Sequence, residues 1–368
     1  MPLYSDVTSG SAGAPGLRMP AEWEPHRATW LCWPHHEQDW PGKLDAVRWV
    51  YAEIARVLAA HEQLEILCHS DPVAERARTV LAAHGVASDR VRLHIAPSDR
   101  VWLRDSAPTA VFDADGRVSL LDWSFNGWAK YDNWRLDATL GKVIAQSTGL
   151  TRLEPERPGG SGRLVLEGGG FDVNGDGLVL VTEEWLIGDV QVRNPGLSRD
   201  DYEQIFSTWF GSAQTLWLGE GCVGDDTHGH VDDVARFVDS ETVVLAYEPD
   251  PLDENHRRST DNLRRLELFT IRDGRKLRVV TLPFPAPVTM DGERLPASYA
   301  NFYVANGVVI VPTFNDPNDR VALNTLAALM PSRTVVGIHA VDLVLGLGTL
   351  HCLTQQEPVG ATAPPSTP

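Results

Sequence analysis

Cys352 lies in the stretch "LGLGTLHCLTQQEP", after a loop built from Gly346, Gly348 and Thr349 and ahead of a polar pair, Gln355 and Gln356. Four upstream stretches offer groups that a thiol can work with. They are Asp105 in "RDSAP", Glu167 in "EGGGF", His230 with Asp232 in "HGHVDD", and Asn301 in "ASYANFYV". A cysteine attacks as its thiolate, and a cationic substrate beside it lowers its pKa. Paired carboxylates bind a planar guanidinium through parallel hydrogen bonds, which fixes the orientation of its central carbon. A thiol, an imidazole and several carboxylates therefore suit covalent attack on a flat cationic carbon. Trp102, just before this set, can stack on the cation or cover its alkyl chain. The glycines of "EGGGF" and "GLGT", Gly348 among them, let backbone approach a ligand closely. Each residue alone also has an ordinary structural reading, but that reading has to be invoked repeatedly.

What makes the coincidence informative is a repeat. The stretches from Arg104, Glu167, Gly229 and Ala297 share one layout: polar residues, a short apolar run, a turn, then a β-rich run. The turns are Asp113–Gly116, Asn174–Gly177, Asp239–Glu241 and Ala305–Gly307, all hairpin chemistry. The runs that follow begin at Val118, Leu178, Val243 and Val308, spaced by roughly 60 to 65 residues. Helical periodicity fills the intervals. Leu44, Val47, Val50, Ile54, Val57 and Leu58 mark a helix within 42–61, and "DPVAERARTVLAAHGV" begins with Asp71 as cap and Pro72 at the first position. "SRDDYEQIFSTWFG" closes at Gly211 and "DRVALNTLAALMP" at Pro331. Strand, helix and hairpin alternate about five times if the stretches 23–91 and the C-terminal run each complete a unit, and radial repetition is the economical architecture. In such an array Asp105, Glu167, His230, Asp232, Asn301 and Cys352 face one axis.

Composition narrows the alternatives. The 368 residues can bury a substantial core, and no apolar run approaches the ~20 residues that span a bilayer. A formal charge of −18 repels nucleic acid and anionic membrane and favours small cations. Cys32, Cys68, Cys222 and Cys352 are scattered without CxxC pairs, against both a disulfide framework and a thiolate zinc site. Reduced thiols and a start lacking a signal-peptide pattern make the cytoplasm the expected location.

"WLRDSAP", "EGGGFDVNGDG", "THGHVDDVARFV", "ASYANFYVANGVVIVPTFND", "LHCLTQQEP" and "MPAEWEPHRATWLCWPHHEQDWPG" together resemble the agmatine deiminase and bacterial-type peptidylarginine deiminase family, from Met19 to Pro358. The resemblance implies a five-bladed, pseudo-symmetric α/β propeller, the pentein fold of guanidine-modifying enzymes. It implies one domain over 19–358, and composition alone adds a flexible leader (1–18) and a Pro- and Ala-rich tail (359–368) read as disordered. By resemblance Cys352 is the nucleophile, His230 the general acid and base, and Asp105 and Asp232 the carboxylates that hold the guanidinium. Glu167 and Asn301 match positions lining the same site, and Trp102 matches a wall of the substrate channel. The implied reaction forms an amidino-thioether on the cysteine with loss of ammonia, and water then releases a urea-type product without a cofactor. For agmatine the product is N-carbamoylputrescine.

His228 stands where many agmatine deiminases carry an acid in "TDGH", so recognition of a distal amine falls to Asp225 or Asp226, or the guanidine substrate differs. A carboxylate-bearing substrate such as arginine would want basic residues in the channel; no basic cluster stands beside the motifs, which favours an uncharged or cationic tail, with Arg104, Lys130 and Arg135 the residues that could supply charge from elsewhere. A rival reading takes His228, His230 and Asp232 as zinc ligands. It leaves Cys352 and the hairpins unused. An inactive binding scaffold of the same architecture is a third. His351, if on a strand, faces away from Cys352 and is structural. Cys222 is the second candidate thiol, with a small turn residue as its plainer reading, while Cys32 and Cys68 read as core. A homo-oligomer is compatible with exposed faces of the fold.

Overall fold

Runs of valine, leucine and isoleucine between turn residues become strands, and amphipathic runs between them become helices. The computed structural model describes residues 16–361. Strands β1 (His26–Cys32), β2 (Gln63–Cys68) and β3 (Val91–Ile95) pair in parallel, with α1 (Leu44–Ala59) and α2 (Asp71–Ala83) as the crossovers that parallel pairing requires. The short α3 (Leu103–Ser106) then leads into the hairpin of β4 (Thr109–Phe112) and β5 (Val118–Leu121). Helix α4 (Leu140–Thr148) carries the chain to β6 (Thr151–Leu153), parallel to β5.

That pattern recurs. The hairpin of β7 (Phe171–Val173) and β8 (Leu178–Thr182) is followed by α5 (Glu183–Ile187), α6 (Arg199–Phe210) and the parallel β9 (Gln214–Leu218). The hairpin of β10 (Ala235–Phe237) and β11 (Thr242–Tyr247) is followed by α7 (Glu254–Leu268) and β12 (Arg278–Pro283). A two-stranded ribbon, β13 (Thr289–Met290) and β14 (Glu293–Arg294), intervenes. The hairpin of β15 (Tyr303–Ala305) and β16 (Val308–Thr313) comes next, with α8 (Asn318–Leu329) and β17 (Thr334–His339). Finally α9 (Leu350–Leu353) precedes β18 (Gln355–Pro358), which lies antiparallel to β1. Among the described residues five sheets therefore share one core: an antiparallel strand, a central strand, and a parallel third. The first sheet adds β3 at its edge.

Local chemistry explains the hairpins. Asp113 Oδ1 accepts from the backbone of Asp115 and Arg117, Asn174 Oδ1 from Asp176 and Leu178, and Asp239 Oδ1 from Glu241 and Thr242. Each turn is thus held by the side chain that opens it. The central strands are buried throughout most of their length, as in Leu178–Thr182 and Val308–Pro312. Helix α6 starts on a reciprocal capping box between Ser198 and Asp201 and stops at Gly211, whose φ of 68° is left-handed. Its aromatic face, Tyr202, Phe206, Trp209 and Phe210, packs with Trp123 and Phe171.

Several expectations shift. The helix expected to begin with Asp71 as cap has Ser70 there instead, because Asp71 already has helical geometry. Of the leader expected over 1–18, residues 1–15 lie outside the described residues. Leu17 is buried and Arg18 exchanges backbone hydrogen bonds with Phe112, so ordered packing starts before Met19. Residues 362–368 of the expected tail also lie outside, while Val359 and Ala361 donate to the carbonyls of Pro25 and Gly116. Cys352 and His351 sit in one helical turn, not a strand, so the argument that their side chains oppose each other does not hold. Among the described residues no helix is long and apolar enough to cross a membrane.

Candidate active site

The polar residues singled out in the repeats all lie just before the first strand of a sheet. Asp105 is in α3 ahead of β4, Glu167 precedes β7, Asp232 precedes β10, Asn301 precedes β15, and Cys352 is in α9 ahead of β18. These approaches bring together side chains hundreds of residues apart. Asn301 Nδ2 donates to Cys352 Sγ at 3.1 Å, and the thiol lies 3.6 Å from Asp232 Oδ2. Asn301 Oδ1 in turn accepts from Thr349 Oγ1 and the backbone of His351, which fixes the turn carrying the sulfur.

His230 stands between two carboxylates: Nδ1 is 3.7 Å from Asp105 and Nε2 is 3.5 Å from Glu167. The turn that delivers it is shaped by Asp225, whose oxygens accept from the backbone of Thr227, Gly229 and His230. Asp225 is therefore committed to the backbone and is not free for a substrate amine. Asp105 is itself held at both oxygens, by Trp128 Nε1 at 2.9 Å and by the Gly169 amide at 3.1 Å. A Cβ on Gly169 would stand 2.6 Å from His230 Nδ1 and 2.9 Å from Asp105 Oδ1, so only glycine leaves room. Gly348 serves the same end beside the sulfur, where a Cβ would meet the Trp102 ring at 2.7 Å.

A cavity of about 300 Å³, counting its open mouth, has Trp102, Asp105, Trp128, Asp226, Gly348 and Cys352 in its wall. Asp226 accepts from the Tyr131 hydroxyl at 2.6 Å and pairs with Lys130. Glu167 and Asn301 touch His230 and Cys352 instead of the cavity. Glu167 is fully buried, receiving Trp185 Nε1 at 2.7 Å and the Arg193 guanidinium at 3.1 Å. Of the basic residues considered for the channel, Arg104 is buried behind α9, bonded to Gln356 and the His351 carbonyl. Arg100, not considered, is in the cavity wall with Asp39 as its ion partner.

Electrostatics follow from this crowding. Burial pushes the Cys352 thiol far up, and Asp232, Asp233 and Asp105 push it further. Burial raises Asp105 to about 6, against the opposing charge of His230. Burial alone would depress His230, but Asp105 and Glu167 outweigh it and raise the imidazolium to about 9. Glu167 is held down at about 2, since Arg193 and His230 overcome its burial. Burial and the neighbouring carboxylates Asp232 and Asp225 drive Asp233 well above the carboxylate range. His230 Nδ1 and Asp232 Oδ1 are buried without a hydrogen-bond partner, behind the cavity wall formed by Asp105 and Cys352.

The zinc reading needs His228 and His230 on one ion. His228 instead stands 3.9 Å from Glu184 with its side chain 28% exposed. Among the described residues the ligating atoms that lie close together belong to Asp232, Asp233 and Cys352, with neither imidazole. Cys222 is buried beside Ala246, Phe284 and Ala300, and Cys32 and Cys68 belong to the main core. Trp128, Arg193, Glu22 and Arg236 were not singled out in the sequence. "FNGWAKY" carried the one local signal, aromatics around a glycine turn.

Residues 18–358 match the family model described as Porphyromonas-type peptidyl-arginine deiminase. The chain is 33% identical to the agmatine deiminase of Ectopseudomonas mendocina, covering 94% of this chain and 96% of that one. It is 35% identical to the agmatine deiminase of Medicago truncatula, covering 93% and 96%. Its fold is similar to that of the solved agmatine deiminase of Enterococcus faecalis, with a TM-score of 0.87, 30% identity, and coverage of 96% and 99%.

Proposed function

Because the chain belongs to the Porphyromonas-type peptidyl-arginine deiminase family, we propose that it hydrolyses the guanidinium group of agmatine to N-carbamoylputrescine and ammonia. The relatives named agmatine deiminase supply the substrate. The observation that carries the chemistry is the sulfur of Cys352 beside the Asp232 carboxylate in a cavity shared with Asp105, with His230 a short step away. The finer architecture proposed is a five-bladed propeller, in which the five equivalent sheets are the blades and the loops before their first strands line the central pit. The common strand order supports it.

In the empty site Cys352 is a thiol, because three acidic neighbours and burial oppose a thiolate. A guanidinium held by Asp105 and Asp232 places positive charge there and reverses that balance, so the substrate helps to activate its own nucleophile. Cys352 gives up its proton to solvent as the guanidinium enters, the thiolate adds to the guanidinium carbon, and the C–N bond to a terminal nitrogen breaks as His230 supplies a proton, releasing ammonia. Water then gives its proton back to His230 and adds to the same carbon, and the C–S bond breaks to free the urea product and the cysteine. Asp226, in the cavity wall, is the carboxylate for the distal amine, which displaces Lys130 from it.

The test is ammonia release from agmatine, arginine, an arginine peptide and guanidino acids by wild type and Cys352→Ser. Turnover of agmatine above the others, lost in the variant while guanidine binding survives, is the expected result. A variant that still turns over removes Cys352 from the mechanism.

A further inference from the structure

His351 adjoins Cys352 in the chain, the reaction leaves it without a task, and its surroundings are unusual. Both ring nitrogens face carboxylates: Nδ1 is 2.7 Å from Asp232 Oδ2 and Nε2 is 2.8 Å from Glu22 Oε2. Cationic neighbours hold Glu22 and Asp232 below the ordinary carboxylate range against their burial, and with both ionised their oxygens only accept, so the two contacts are met when the ring donates from each nitrogen. All three side chains are buried. Glu22 is anchored in its turn by the Val304 amide at 2.8 Å, by Arg236 at 2.9 Å and by Arg104 at 3.4 Å. The far carboxylate therefore has fixed partners on every side, and the near one has His351.

The oxygen of Asp232 that His351 holds is also the one beside Cys352 Sγ, while the other oxygen has no partner. We propose that His351, backed by Glu22, is a positioning residue: its imidazolium pins one oxygen of Asp232, leaves the second for the guanidinium, and offsets the negative charge that the thiolate of Cys352 must form against. It exchanges no proton with substrate. Burial would raise the Asp232 carboxyl, but His351, with His230 and Arg236 beyond it, holds it below its ordinary range. The other charged groups facing this set are Asp105 and Asp233 toward the sulfur and Asp172 toward Arg236. This inference rests on the proposed cysteine chemistry but not on the identity of the substrate.

The experiment is the pH dependence of Cys352 alkylation by iodoacetamide, without substrate, in wild type, His351→Gln and Glu22→Gln, with the other cysteines replaced by alanine and agmatine turnover measured alongside. His351→Gln keeps one hydrogen-bond donor but removes the charge. The midpoint for alkylation is expected to move up by about one unit, a tenfold loss of thiolate at fixed pH. Turnover falls about tenfold or more, mostly in kcat. Glu22→Gln moves both in the same direction by less, and it is the deciding variant should His351→Gln not fold. An alkylation midpoint that stays at its wild-type value in a folded variant overturns the proposal. Should wild type leave agmatine untouched while the midpoint still moves, the substrate reading falls and the role of His351 stands.

Discussion

Asp105 and His230 are each other's counter-ions, and their opposed shifts set a window for activity. In the mechanism we propose, substrate binding needs Asp105 ionised, and ammonia loss needs a proton on His230. With values of about 6 and about 9 in the free site, kcat/KM is expected to rise through the first and fall through the second, as limbs of the coupled pair. Trp128 donates to Asp105 and helps keep it ionised, so Trp128→Phe should move the acidic limb upward and leave the basic limb in place. A pH–rate profile of the two proteins checks this. The same imidazole links pH to stability. Its folded value lies above the ordinary 6.5, so its contribution is complete below that pH and is lost as pH rises through about 9. His230→Gln should flatten that part of the alkaline decline in thermal midpoint. At the cavity's outer wall Asp226→Asn should raise KM for agmatine with kcat little changed, the signature of lost uniform binding.

The elements position these groups through turns whose backbones come unusually close to side chains. Gly169→Ala forces a methyl into the space between His230 and Asp105, and a displacement of under 1 Å there is expected to cost about 100-fold in kcat/KM while the fold survives by circular dichroism. At this scale the sequence was readable where the chemistry is local. Asp113, Asn174 and Asp239 hold their own hairpins, and the 3.6-residue periodicity of 44–59 and 199–210 marks two helices. The one-turn helices were not readable. "LRDS" and "LHCL" are too short for a period, so Cys352 and His351 could not be assigned to one face. Glu22 was also hidden, since the partners that give it meaning, Arg236, Val304 and His351, lie more than 200 residues away along the chain.

The whole molecule is joined where β18 meets β1. Glu357 receives the buried indole of Trp30 at 2.9 Å and the guanidinium of Arg27, tying the C-terminal strand to the N-terminal one. Glu357→Ala leaves that indole N–H without an acceptor, a cost of about 1 to 3 kcal/mol. A lowered denaturation midpoint in urea checks it. Because the same strand follows directly on α9, loosening it should also depress turnover more than the stability loss alone accounts for.

The order of residues along the polymer has a consequence for synthesis. Glu22, Asp105, Glu167, His230 and Asn301 leave the ribosome in that order, and Cys352 follows all of them. A polypeptide that stops short of Cys352 holds these acids and the His230 imidazole but not the sulfur placed beside them, so the proposed chemistry is withheld until that residue has been added.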